Sequence, residues 1–380
     1  MPRSPFRLPS RPWGAILGLT TGIALLADTA GVSVERLPLS GRQPRVSLDA
    51  EGTAHIVFLV GDTKASEVRH FRRPVGSTAF SEPVRVDAGS PSDTAMSLGT
   101  IRGPQVACGT AGKVHVAWNG NTPSGADGRG TPLWYSRSTD GGRTWEPARN
   151  LLGTTRHLDG GAAVAADGSG RVVVAWHAAR PDGPATEARR AVFLAVSRDD
   201  GAHFEPPVRA DADDLGACGC CGLAAGFTPT GSLRVLYRSA ATAMDRDIRL
   251  LEGDPGAVPW TARRLEAWRI GQCPMSSLET STAGLAWEAG DRVRFAEATG
   301  TVRSGSAAGV AAHHPRITLG KDGETLCVWT EDTGWAHGGK VRWRRFAADG
   351  SPLGEGGRDD LPAWDFAAAV AGRSGFTVLY

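Results

Sequence analysis

The sequence predicts an all-β fold, a β-propeller of four-stranded blades, seven-bladed by preference with a six-bladed ring as the alternative. Three observations lead there. A two-strand pattern recurs along the chain, an aromatic residue closes each copy, and the composition favours turns over helices. Fifty glycines, 24 prolines and 12 tryptophans are spread over the 380 residues, as expected of many short strands joined by tight turns. No long stretch keeps an apolar period of 3.6, so few helices are expected.

The repeat is clearest in "PRVSLDAEGTAHIVF", "PQVACGTAGKVHVAW" and "PRITLGKDGETLCVWT". Each opens with Pro, alternates, turns at Gly, and alternates again to an aromatic. Pro44 to Phe58, Pro104 to Trp118 and Pro315 to Trp329 are all 14 positions apart. Weaker copies end at Trp176, Tyr237, Trp287 and Tyr380, and the successive aromatics are 60, 58, 61, 50, 42 and 51 residues apart. Units of 40 to 60 residues, each opening with a period-two hairpin, read as propeller blades. A parallel β-helix would repeat at shorter intervals, and a sandwich would not repeat this regularly. The last copy holds only two strands, so "VSVERL" (32–37) is expected to add a strand there, tying the N- and C-terminal strands together.

Residues 1–30 read as a secretory signal. Arg3, Arg7 and Arg11 precede the uncharged "GAILGLTTGIALLA", followed by small residues, in the order of such signals. About 14 apolar residues fall short of the roughly 20 that span a bilayer. An uncleaved anchor is the alternative and the one route to a membrane. Residues 31–380 then form a single extracytoplasmic domain, where disulfides can persist. The net charge of +2 arises from interspersed signs, which argues against nucleic acid as a partner.

Two turns carry a signature. "STDGGRTW" places Ser138, Asp140, Gly142, Thr144 and Trp145 at S-x-D-x-G-x-T-W spacing, and "SRDDGAHF" places Ser197, Asp199, Gly201, His203 and Phe204 likewise. Both resemble the Asp box (BNR repeat) of the sialidase-like propellers, and "GSTAFSEPVRV" looks like a worn third copy. Ser and Asp side chains bond a hairpin turn, Gly takes the positive-φ position, and the aromatic packs between blades. The resemblance implies a structural role, on the face away from the active site, in a superfamily of glycosidases and lectins.

The opposite face is then the working one. Loops entering each inner strand and leaving each second strand converge there around the channel. Entry loops contribute Arg42, Arg102, His157, Asp159, Cys218, Cys220, Cys221, Cys273, His313 and His314. Exits contribute Asp62, Asn119, His177, Arg238, Arg246, Asp247, Glu288, Glu331, Trp335 and His337. A ring of titratable groups in one concavity suits binding or catalysis. A sialidase needs arginines for the substrate carboxylate, a tyrosine nucleophile with a carboxylate partner, and an acid/base carboxylate. Arg42-Gln43-Pro44 resembles the family's R-I-P motif without its Ile. Asp62 is the candidate acid/base and Glu288 the partner carboxylate, with Arg238 and Arg246 completing the arginines; pairing with Asp245 and Asp247 is the plainer role for these two. None of Tyr135, Tyr237 and Tyr380 occupies a rim position, so the nucleophile is missing.

Cys108 and Cys327 fall within strands and read as core residues. Cys218, Cys220, Cys221 and Cys273 enter adjacent blades and belong together. Three readings compete: disulfides, a thiolate site for copper or zinc supplemented by Met275, His177, His313 or His314, and a strained vicinal redox pair at Cys220–Cys221. Cys-x-Cys-Cys lacks the C-x-x-C pairing of structural zinc sites. The sequence thus points to a carbohydrate-directed propeller, acting on or binding a glycoconjugate. A metal-binding or redox protein centred on the cysteines, and a propeller that only docks another protein, are the alternatives.

Overall fold

In the computed structural model, the residues described are 31–88, 103–120, 131–156, 158, 160–182, 184–271, 274–298, 300–334, 337–373 and 375–380. The expected signal at 1–30 lies outside them, as do Arg102, His157, Asp159, Cys273 and Trp335. Seven sheets form a ring. The innermost strands are Arg42–Leu48, Gln105–Cys108, Ala163–Ala166, Ala224–Phe227, Leu278–Ser281, Ala312–Leu319 and Ala368–Ala371. Each touches the next, and the seventh touches the first. Six blades are four-stranded antiparallel meanders. Among the described residues helix is limited to the 3-10 turns Pro38–Ser40 and Glu187–Arg189, and no helix is long and apolar enough to cross a membrane.

The seventh blade closes the ring in a way the alternation alone does not dictate. It has three strands, and Val32–Glu35 lies parallel to Phe376–Leu379, with Val32 opposite Phe376 and Glu35 opposite Leu379. The Leu37 amide then bonds the Tyr380 carbonyl at 2.8 Å.

The core is divided between blades. Seven apolar clusters each join residues of two neighbouring blades. The hairpin aromatics sit in these seams: Phe58, Trp118, Trp176, Tyr237, Trp287, Trp329 and Tyr380 are all buried. Period-two strands put one side chain set on each face of a blade, so each face needs a neighbouring blade to cover it.

The two signature turns adopt one hydrogen-bond pattern. Ser138 Oγ donates to Asp140 Oδ1 at 2.7 Å and accepts the Gly142 amide at 2.8 Å, and Asp140 Oδ1 accepts the amides of Arg143 and Thr144 at 2.9 Å each. Ser197, Asp199 and Gly201 repeat this, with His203 Nδ1 bonding Asp199 Oδ2 at 2.7 Å where Thr144 Oγ1 bonds Asp140 Oδ2 at 2.6 Å. Gly142 and Gly201 take φ of +79° and +73°. Added Cβ atoms would strike His70 of the preceding blade and Tyr135 of the preceding blade, respectively. Trp145 and Phe204 lie edge-on against those same two rings.

Burial opposes ionisation of Asp140, but Thr144, Ser138 and the turn amides outweigh it and hold the carboxyl at about 2. A depressed folded pKa adds stability above the ordinary carboxylate value of 3.8, which fades as pH falls toward 2. Asp140→Ala is expected to lower unfolding free energy by roughly 1–2 kcal/mol at neutral pH, read from urea melts, with the loss shrinking in acid.

Candidate functional site

The rim formed by strand entries and second-strand exits is built differently from the open ring expected. The residue directly after the hairpin aromatic is buried in blades two to five, and latches the ring instead of lining an open surface. Asn119 Nδ2 donates to the Gly160 carbonyl, and His177 Nε2 donates to the Cys221 carbonyl at 2.9 Å. Arg238 Nη1 donates to the Pro274 carbonyl at 2.8 Å. Glu288 Oε1 accepts His313 Nδ1 at 2.8 Å, and its Oε2 accepts the His314 amide at 3.4 Å. In each case the partner lies in the next blade, in its entry loop for the first three and at the start of its innermost strand for Glu288. A seam buried at its polar end must satisfy its donors and acceptors, which accounts for the Asn, His, Arg and Glu series.

The other rim candidates are similarly engaged. Asp62 is exposed and caps its own turn, accepting the Lys64 and Ala65 amides at 2.8 Å, and these bonds, Ala65 first, lower its pKa; an acid held ionised in this way is poorly suited to donating a proton. Arg42 donates to the Ala363 carbonyl at 2.9 Å and lines a cavity of about 420 Å³ with Arg36, Asp360 and Tyr380. Arg246 pairs with Glu187 at 2.7 Å, and Asp247 with Arg249 at 2.7 Å. Glu331 accepts Trp329 Nε1 at 2.8 Å. His314 is buried, bonded to Thr330 at 2.9 Å and stacked on Phe366, and burial drives its pKa well below the ordinary value. Tyr135 and Tyr237 are buried in seams, which raises both phenols, and Tyr380 bonds Asp360 at 2.8 Å. His55 and His115 are likewise buried.

Among the described residues, the cysteine loop is the entry loop that gathers three metal-ligating side chains. Gly216, at φ +59°, starts it where a Cβ would meet the Glu187 carbonyl oxygen at 2.6 Å. The Ala217 amide bonds that carbonyl at 3.0 Å, the Gly219 amide bonds the Glu187 carboxylate at 2.6 Å, and the Cys218 amide bonds the Arg238 carbonyl at 2.9 Å. This folding brings three sulfurs together: Cys218 Sγ stands 3.1 Å from Cys221 Sγ and 3.6 Å from Cys220 Sγ, and all three lie within 4.8 Å of one another. No two of the described cysteines are at bonding distance, so the disulfide reading fails for them. Cys218 and Cys221 are buried and Cys220 is half-buried. Burial pushes the Cys221 thiol up to about 12, and the adjacent Cys218 adds to this.

Arg238 is turned toward these sulfurs. Its Nη2 donates to Cys218 Sγ at 3.0 Å while its guanidinium stacks over Trp268, 4.8 Å from the ring centre. Ser276 Oγ donates to Cys221 Sγ at 3.3 Å. Glu187, Trp268 and Ser276 escaped the sequence reading, because nothing in their local sequence links them to a distant cysteine. One signal was legible: Cys218 and Cys221 are themselves spaced C-x-x-C, overlapping the C-x-C-C, and these two make the shortest contact. Cys327 is core as expected, whereas Cys108 is half-buried rather than core, although desolvation still raises its thiol to about 12.

A second polar group lines the channel itself. Arg45 and Arg316 occupy equivalent positions after the Pro of their blades. Both flank Phe366 and share Glu279, at 2.7 and 3.6 Å. The repeated "PR" pair marked this equivalence in the sequence.

Burial lowers the His313 pKa, but the Glu288 carboxylate outweighs it and the net shift is upward from 6.5. A raised folded pKa stabilises the fold below the unfolded value and loses that contribution as pH rises through the folded one. Stability should therefore decline as pH rises above about 6.5. Glu288→Gln should remove that step and bring the His313 titration, followed by NMR, below its wild-type midpoint.

No family model and no curated protein matches the sequence. Among solved structures, a protein of unknown function from Dyadobacter fermentans overlaps 89% of this chain and 93% of its own at 13% identity and TM-score 0.46. The Hadza microbial sialidase Hz136 overlaps 83% and 73% at 14% identity and TM-score 0.47. An α-L-arabinanase of Penicillium chrysogenum overlaps 85% and 94% at 13% identity and TM-score 0.48. The seven-bladed architecture rests on the sheet order of this chain itself.

Proposed function

We propose that this protein is a soft-metal-binding propeller whose centre is the Cys218–Cys220–Cys221 triad. The observation that carries the reading is the convergence of three sulfurs within 4.8 Å in a loop fixed by Glu187 and Arg238. Thiolates on one zinc-sized ion at about 2.3 Å stand no more than about 4.6 Å apart. The separations of 3.1 and 3.6 Å fit inside that limit. Thiolate donors select soft ions, and a set of three suits copper(I), whereas structural zinc takes four ligands. The Arg238 guanidinium, 3.0 Å from Cys218 Sγ, offsets the negative charge that three thiolates bring. Anaerobic titration of the full chain with copper(I) is expected to bind one equivalent and produce a thiolate-to-copper ultraviolet band. Cys218→Ser and Cys221→Ser should each lose both while keeping the wild-type circular dichroism. Undiminished copper binding in the double variant would overturn the reading.

A carbohydrate-directed function is the second reading. It is supported by the two turns, whose bonding is what the Asp-box resemblance calls for. Hydrolysis of the sialidase type is disfavoured by the burial of Tyr135 and Tyr237 and by the turn-capping role of Asp62. Binding of a glycoconjugate without turnover is the form that fits, with Arg42 at its cavity as the anionic-sugar contact. Retention on sialylated glycans that Arg42→Ala weakens at least about fivefold is expected on this reading, since an arginine–carboxylate contact is charge-assisted. Equal retention of both proteins would dismiss it.

A further inference from the structure

We propose that the metal-free triad is a thiol–disulfide exchange centre, in which Cys220 receives a small-molecule disulfide and Cys218–Cys221 is the disulfide that results. The three sulfurs differ in ways that assign these roles. Cys220 is the half-buried member, whereas Cys218 and Cys221 are about 1% exposed. An incoming disulfide therefore meets Cys220 first. Cys218 lies 3.6 Å from Cys220 and 3.1 Å from Cys221, which places it to take the bond from the one and pass it to the other. It is also the sulfur that takes the Arg238 donor, at 3.0 Å, which fixes it between the other two.

The steps balance. The Cys220 thiolate attacks one sulfur of the incoming disulfide, forming a mixed disulfide and releasing one small thiolate. The Cys218 thiolate then attacks Cys220 Sγ, expelling the second small thiolate and joining Cys218 to Cys220. Cys221 attacks Cys218 Sγ last, leaving a Cys218–Cys221 disulfide and a regenerated Cys220 thiolate. Two protein thiols lose two electrons and two protons, and one disulfide becomes two thiols. The final pair has the C-x-x-C spacing, and its sulfurs need to close from 3.1 Å to the bonded distance of about 2.05 Å. Exchange and metal binding exclude each other, since the product leaves one thiol of three.

The test uses the metal-free full chain with oxidised glutathione as the probe, thiol counting, and peptide mapping by mass spectrometry. Two thiols should be lost, restored by dithiothreitol, and the map should show Cys218 joined to Cys221. Cys220→Ser should reach the same product at least about tenfold more slowly, because attack then falls on a buried sulfur. Cys218→Ser should stop at a mixed disulfide on Cys220. A wild-type chain that keeps all its thiols overturns the proposal, as does a bridge mapped to Cys220–Cys221 or to Cys273, or an unchanged rate in Cys220→Ser. Failure here leaves copper(I) binding intact, and failure of copper binding leaves the exchange intact, so the two readings fall separately.

Discussion

A ring of blades has no interior apart from its seams, and each seam is complete only if the ring closes. Here closure depends on one short parallel pairing, Val32–Glu35 against Phe376–Leu379. It brings together segments more than 300 residues apart in sequence. The chain entropy lost in joining them grows only slowly with loop length, while the reward is shared by two seams at once. Without that strand, the outer faces of Phe376 and Val378 lose their cover, and the apolar clusters on both sides of blade seven are opened.

The polar ends of the seams obey the same logic. Asn119, His177, Arg238 and Glu288 each bridge to the following blade from a buried position. Gln43 does this near the closure, its side-chain oxygen accepting the Gly103 amide at 3.0 Å while its backbone N–H donates to Asp365 at 2.6 Å. Buried polar groups are costly unless bonded, so these contacts fix how far one blade can rotate against the next. Among the described residues, the latch that meets the sulfurs is at the seam between blades four and five. Arg238 holds the Pro274 carbonyl with one nitrogen and Cys218 Sγ with another. A structural latch and a chemical centre therefore share one side chain.

Much of the architecture could be read directly. The spacing from Pro44 to Phe58 and its copies located seven hairpins, and a strand within 32–37 was expected to complete the last blade; what period could not reveal was that it would run parallel. The Ser138 and Ser197 turns were readable because their contacts span only a few residues. The site was harder. The step from Trp176 to His177 or from Trp287 to Glu288 shows which edge a side chain sits on, but not whether the neighbouring loop covers it. Their burial depends on partners 44 and 25 residues further along the chain, and local pattern carries no trace of that distance. The cysteines were legible as a group, whereas their order of contact came from Glu187 bonding two amides of the loop.

The parallel strand has a geometric corollary. Because Val32 pairs with Phe376 and Glu35 with Leu379, the chain enters the ring at the end where the Asp140 and Asp199 turns lie, and climbs toward the rim. Gly31 thus lies on the far side of the disc from the cysteines. The sulfur-bearing mouth is therefore the face turned away from the point at which the chain enters the ring.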